Sequence, residues 1–362
     1  MSTLAPKSVD GVKAAGASEP AAAGWLERDQ PNALNFLRLV FAATVLFAHA
    51  WAFGTFGVDP LGSLLLRTQA GDAAGNAVNG FFIISGFLIV GSWLSGRSAD
   101  SYLRARVARI WPAFAVAFIV SAFIAAVAAG GEGLHYLRSI PKQSWFVGIF
   151  SLNQGELERA LSFAHNPYPK TVNGPMWTIH IEFACYLAVA LAGSVGLFRR
   201  RWLVALFTAF AMCLAAYEQV YVPGAWMHWS RFAAFFGAGA LFYLWRQRIP
   251  KSAWLALGCC VIVFASRYVS PYFTLPLALT YLIFYFAHTA PGWVQRIGAT
   301  NDISYGVYLY GGVLEQLYYS LAVKGTLPMN PWICFATVLP FCVGCGWLSW
   351  LYVERPAKRW LR

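Results

Sequence analysis

The sequence predicts an all-α integral membrane protein, a bundle of about ten transmembrane helices. Three observations carry this. Apolar residues make up 59% of the 362 positions and charged ones only 12%, against roughly half and a quarter in an ordinary soluble domain. From residue 33 onward the chain is a succession of apolar runs, most of them near the ~17–25 residues a spanning helix needs. Phe, Tyr and Trp number 28, 17 and 16, and aromatic rings gather at the two bilayer interfaces. This composition excludes a disordered chain, a collagen, a coiled coil and a small disulfide scaffold.

Taken in order, residues 1–31 are rich in Ala, Gly, Ser and Pro and lack a helical period, which predicts a short disordered cytoplasmic tail. No apolar core follows a basic start there, so it does not read as a signal peptide. Residues 32–362 are read as a single polytopic domain. Its apolar runs are 33–53, 77–95, 110–129, 177–197, 202–219, 229–245, 254–269, 272–288, 303–322 and 331–352. A long extracytoplasmic loop, 130–176, separates the third and fourth. The run 144–152 inside it is too short to span and is expected to lie along the interface or to re-enter.

Lys and Arg orient the bundle. With the N-terminus inside, 18 fall on the cytoplasmic side, among them Arg97, Arg199 to Arg201, Arg246, Lys358 and Arg359. Eight fall outside: Arg67, Arg138, Lys142, Arg159, Lys170, Arg231, Arg267 and Lys324. Both termini are therefore expected in the cytoplasm. The net charge of +12 is mostly an orientation signal, and nucleic acid is set aside. Part of it remains available for an anionic ligand on the cytoplasmic face. The seven cysteines all lie in apolar stretches and read as small membrane hydrophobes, the Cys342–Cys345 pair included.

Ionisable residues at membrane depth are functional candidates. Arg38 and His49 lie eleven residues apart in the first run, about 20° past three full turns and about 17 Å along the axis. One helix face thus holds a cation in the inner third and an imidazole in the outer third; the plainer alternative is a snorkelling arginine and a packed histidine. Glu182 counts to about 8 Å outward of the midplane, level with His49. Such a pair could serve as orienter and base. His180 falls on another face and reads as structural. Ser85 and Gly86 sit at mid-depth, where small residues favour close helix packing. Arg104, Arg106 and Arg109 sit at the inner mouth, as membrane anchors or as phosphate ligands. Glu315 ranks below Glu182, and Arg231 reads as snorkelling. There is no Walker loop, dinucleotide fingerprint, HExxH or GxSxG.

An ordered series of motifs resembles the membrane-bound acyltransferase family 3, which O-acylates extracytoplasmic sugars. Arg38-x10-His49 is similar to its Arg/Lys-x10-His signature, and FFIISGFLI at 81–89 to its Phe-Phe-x-x-Ser-Gly-Phe stretch. RVARIWPAF at 106–114 resembles its basic segment, and GPMWTIHIEFACYL at 174–187 its Trp-Ser/Thr-x-x-x-Glu-x-x-x-Tyr element. ISYGVYLY at 303–310 and VERPAKRW at 353–360 resemble its late Ser-Tyr and Glu-x-Pro elements. Two departures stand out: Asn79 and Gly80 where many members carry Asp before the Phe pair, and Gly311 after Tyr310 where many carry His. The C-terminal extracytoplasmic domain that some members carry is not expected.

The resemblance implies a multi-pass enzyme of the cell (inner or plasma) membrane, with acyl-CoA, most often acetyl-CoA, as co-substrate. It implies a hydroxyl acceptor on a sugar or polysaccharide outside, and no metal. Arg104, Arg106 and Arg109 would hold the nucleotide phosphates, and Arg38 would steer the cofactor deeper. His49 would act as general base or briefly carry the acyl group, Glu182 would orient it, and Ser85 would donate to the oxyanion. Trp145, His165, Tyr168 and Lys170 of the outer loop would shape acceptor choice. The competing expectation is a proton-coupled transporter or flippase using Arg38, His49 and Glu182 as a relay.

Overall fold

The computed structural model describes residues 25, 30–66, 72–96, 98–159, 161–222, 226–268 and 270–360. Ten main helices follow one another: α1 (Leu34–Phe53), α2 (Ala73–Leu94), α3 (Ala99–Ala128), α4 (Ile179–Ser194), α5 (Arg201–Tyr221), α6 (Trp226–Trp245), α7 (Ala253–Ala265), α8 (Pro271–Thr289), α9 (Ser304–Val323) and α10 (Pro331–Ser349). No strand occurs among the described residues. Each apolar run of the sequence falls on one of these helices. Six stretches among the described residues are long and apolar enough to cross a bilayer: α1, α2, α3, Gly174–Ser194, α5 and Pro331–Trp360. The run 144–152 forms part of a short helix, Lys142–Phe150, in the loop before α4.

Caps set several of the helix starts. Asp72 accepts from the Gly75 amide and Ser98 from the Ser101 amide. Asn330 accepts from the Trp332 and Ile333 amides, with Pro331 in the first turn. The Ser98 cap corrects one expectation. The third helix begins at Ala99, not near 110, so Arg104, Arg106 and Arg109 ride on α3 itself.

The centre of the bundle is α9, which packs on α1, α3 and α10. Sixteen of its 20 residues are buried, Tyr308, Glu315 and Gln316 among them, so it answers to protein neighbours and tolerates polar groups that lipid would not. Its Gly306 passes against Gly346 of α10.

On the other side, α2 packs closely on α6. An added Cβ on Gly86 would lie 2.0 Å from the Phe236 carbonyl oxygen, and one on Gly239 2.0 Å from that of Ile83. Gly86 thus has the packing role its size predicts. Gly86→Ala is expected to force α2 and α6 apart and lower stability by about 1–3 kcal/mol, read as a fall in apparent melting temperature in detergent.

The long loop does not stay at the surface. The Asn173 amide donates to the Leu309 carbonyl at 2.7 Å and to Ser121 Oγ at 3.1 Å. Gln316 Nε2 donates to the carbonyls of Tyr168 and Thr171 at 2.9 and 2.8 Å. Asn173 and Pro175 pack on Gly312, at the middle of α9. Residues 166–178 therefore dip into the bundle, held there by the amide N–H groups of Asn173 and Gln316.

The predicted tail lies outside the described residues except for Trp25, Gln30 and Pro31, as do Lys7, Lys13, Arg28, Arg67, Arg97 and Arg362. Trp25 is fully buried. Its indole N–H donates to the Ile249 carbonyl at 2.8 Å, and its ring meets Phe242 and Tyr281 edge-on. This point of the tail is docked.

Candidate active site

Arg38 sits on the second turn of α1, and Asp302 lies two residues before α9. One Asp302 carboxylate oxygen, Oδ1, accepts from the Ser304 amide and hydroxyl at 3.3 and 2.5 Å, fixing the start of α9. The other, Oδ2, accepts from Arg38 Nη1 at 2.7 Å and from Arg109 Nη2 at 2.8 Å. Burial alone would push the Asp302 carboxyl up; Arg38 and Arg109 outweigh it and hold the group well below the usual carboxylate range. The second Arg109 nitrogen, Nη1, donates to Glu354 Oε2 at 3.0 Å, and Lys358 Nζ lies 4.0 Å from the same oxygen. Glu354 is fully buried on a π-turn, Trp350–Glu354, that continues α10. Such turns rotate side chains out of the ordinary helical register and recur at functional sites.

Arg38, Arg109 and Lys358 line a cavity of about 500 Å³, together with Ser85, Arg106 and Tyr186. Its lining thus carries four cations (Arg38, Arg106, Arg109, Lys358), while the carboxylates of Asp302 and Glu354 pair with the cations from outside that lining, so the lining itself is positive. Arg106 lies over the rings of Tyr102 and Tyr186 at 5.6 and 5.9 Å. Arg104 is apart: it pairs with Asp100 of its own helix, is 53% exposed and does not line the cavity. The grouping of three arginines therefore holds for Arg106 and Arg109 only, because 104 falls on the outward side of α3. Arg106→Ala is expected to weaken binding of a phosphate-bearing ligand about tenfold and Arg104→Ala less than about twofold, measured by titration with a nucleoside polyphosphate.

Glu182 is not beside His49. Its Oε1 accepts from Ser85 Oγ at 2.8 Å and from Tyr186 Oη at 2.5 Å. The Ser85 hydroxyl is thus directed at a carboxylate, and no free oxyanion donor is offered there. Glu182 and Arg38 line a narrow gap with room for about one water, together with Thr178 and Tyr308. The inward dip of 166–178 explains the difference. α4 starts near the middle of the bundle, so counting from an interface put Glu182 too far out.

His49 lies about three turns further along α1 from Arg38. Its ring stacks on Phe53 at 5.2 Å, and its buried Nδ1 has no hydrogen-bond partner. It lines neither cavity described above. Between the two levels Phe81 of α2 meets Tyr308 of α9 edge-to-face at 5.7 Å, and Tyr308 shares a 2.8 Å hydrogen bond with Thr178. Asn79 accepts from Arg231 Nε at 2.9 Å, and Arg231 Nη2 reaches Gly75 in the first turn of α2. His180 Nδ1 and both Glu315 oxygens are buried without a partner. All seven cysteines are free.

Residues 32–351 match the family described as an acyltransferase domain. The chain belongs to the membrane-bound acyltransferase family 3. Two relatives bear this out. Nodulation protein 10 of Rhizobium leguminosarum bv. viciae is 25% identical over 91% of this chain and 93% of its own length. An O-acetyl transferase of Shigella phage Sf6 is 24% identical over 90% and 95%. No solved structure matches.

In this acyltransferase the motif series marked more than was taken from it. Asp302 directly precedes the Ser-Tyr element, Glu354 and Lys358 stand in VERPAKRW, and Tyr186 closes the Trp-Thr-x-x-x-Glu-x-x-x-Tyr element. Each lines or braces the cationic cavity, and each could have been found by asking which charged or phenolic side chains the motifs themselves carry.

Proposed function

We propose that this acyltransferase moves an acyl group, acetyl in the first instance, from cytoplasmic acyl-CoA to a hydroxyl of an extracytoplasmic or lipid-linked sugar. We place it in the cell membrane as one polytopic domain of ten spans with both termini inside. The observation that carries the reading is the positively lined cavity at the end of the bundle where Arg38, Arg106, Arg109 and Lys358 converge. Arginine forks match phosphate oxygens in pairs, and a nucleotide bearing several phosphates suits a lining of four cations. The acetyl donor is supported further by the likeness to the O-acetyl transferase of the phage.

In this reading Arg106, Arg109 and Lys358 hold the phosphates and Arg38 directs the arm inward. Asp302 and Glu354 keep the guanidinium groups aimed. The arm reaches toward His49 by parting the Phe81–Tyr308 ring contact, which closes that route in this structure. The acceptor hydroxyl attacks the thioester carbonyl carbon while His49 takes its proton. The C–S bond breaks, the ester forms, and the thiolate leaves and recovers a proton as free CoA. Glu182 acts one level inward, tying Ser85 and Tyr186 into the wall along which the arm runs.

The test is CoA release from acetyl-CoA by purified protein in nanodiscs, with cell-envelope glycan present or absent. Glycan-dependent release that falls in Arg38→Ala through a raised donor KM is the expected result. Absence of release together with absence of acetyl-CoA binding would overturn the donor assignment.

A further inference from the structure

At the end of the bundle opposite the cationic cavity lies another cavity, of about 170 Å³, with an apolar floor and polar groups at its mouth. Its wall comes from three places: Glu132 just beyond α3, the loop residues Phe163, His165 and Asn166, and Ser320 and Lys324 at the end of α9. From these the geometry points to a subsite for one neutral sugar ring, a neighbour of the residue that is acylated. This rests on the sugar-acceptor reading above.

The wall is built to keep its shape. The Asn166 amide donates to the Gln316 carbonyl and to Gln316 Oε1, both at 2.7 Å, and Asn166 Oδ1 accepts from Ser320 Oγ at 2.8 Å. The Lys170 amide donates to the Ser162 carbonyl at 2.8 Å, closing the loop on itself. Phe163 is held at φ +46°, a left-handed conformation that costs a non-glycine residue free energy. Its ring is buried and lines the cavity. A rigid loop with a strained residue aimed into a hollow is the arrangement of a preorganised site.

The chemistry of the lining selects the ligand. Glu132 disfavours an anion and Lys324 a cation, and neither forms an ion pair among the described residues. Lys324 Nζ donates only to the Ala128 carbonyl, at 3.2 Å. Carboxylate, imidazole and ammonium groups at one mouth give both acceptors and donors to a hydroxyl-rich ring, over an apolar floor of Leu161 and Phe163. The volume equals about five or six waters, the bulk of one pyranose and not of two.

A chain of side-chain contacts leads from the cavity wall to His49. Gln316 anchors both Asn166 in the wall and the Tyr168 carbonyl. The Tyr168 ring meets Phe53 at 5.7 Å, and Phe53 stacks on His49 at 5.2 Å. A sugar seated beside Asn166 is thus one rigid loop away from the imidazole, which suits a subsite flanking the reacting residue.

The experiment is labelling of His165→Cys, with Lys324→Cys as a second reporter, in full-length protein in nanodiscs. A membrane-impermeant maleimide is used, and the mass of the peptide carrying the new cysteine is followed. Methyl glycosides of glucose, galactose, mannose, rhamnose and N-acetylglucosamine are added singly at roughly 50 mM, the range in which millimolar binders saturate. Glycerol and glucuronate serve as controls. At least one neutral glycoside should slow labelling about fivefold, glucuronate should not, and Glu132→Gln should remove the protection. Rates within about twofold of the glycerol control for every glycoside, at both reporter positions, overturn the subsite. Labelling needs no acyl transfer. Protection without CoA release would therefore sink the transfer reading alone, and glycan-dependent release without protection the subsite alone.

Discussion

Asp302→Asn is expected to cut kcat about a hundredfold while changing the acetyl-CoA KM by less than about threefold. Asparagine keeps an acceptor for the Ser304 amide but cannot bind two guanidinium groups through one charged oxygen. Arg38 and Arg109 would lose the group that aims them, at 2.7 and 2.8 Å, while the cavity would become more positive. Phosphate attraction survives; the placement of the arm does not. Arg38→Ala should do the reverse and raise KM, so the two variants separate positioning from binding in one set of initial-rate measurements. An equal rise in KM for both would reduce Asp302 to a phosphate-site residue.

Stability should respond as well. Both ion pairs are largely shielded, the side chains being 14–16% exposed, and removing one partner of such a pair costs about 3–5 kcal/mol. The sign with pH follows from the lowered Asp302 value. Its stabilisation is fully present above the unfolded-state carboxyl pKa of about 3.9 and is lost as pH falls through the still lower folded value. The melting difference between wild type and Asp302→Asn should therefore be constant from neutral pH down to the unfolded-state value, and shrink only in stronger acid.

His49→Ala should lower glycan-dependent CoA release by about 10²–10⁴-fold with radiolabelled acetyl-CoA still bound. The imidazole lines neither of the cavities that contain Arg38, so donor affinity should not depend on it. Its Nδ1 makes no hydrogen bond, so no partner is orphaned by its removal. Added imidazole should restore part of the rate. Loss of acetyl-CoA binding in the variant would instead make His49 a structural residue of the donor path.

Periodicity and apolar length made the helices legible, and spacing on one helix placed Arg38 and His49 correctly relative to each other. Depth across helices was not legible. Glu182 was counted from an interface, but its helix starts at mid-bundle because Asn173 and Gln316 draw the loop inward. Nothing in the loop's composition declares that, since its amides satisfy partners more than a hundred residues away. Arg104 was grouped with Arg106 by adjacency, whereas position around α3 decides which of them meets the cavity. Asp302 and Glu354 escaped notice because carboxylates next to a basic mouth look like surface charge until their partners are known.

The inward loop also orders assembly in time. Asn173 emerges from synthesis well before Leu309, its partner 136 residues later, and Asn166 well before Gln316. Until α9 is inserted, residues 166–178 lack most of their anchors and keep only contacts to earlier helices, such as Asn173 to Ser121 of α3. The final fold of the early half is thus sealed by the late half. A chain halted before α9 should present this segment to proteases, because the anchors from Leu309 and Gln316 are then missing.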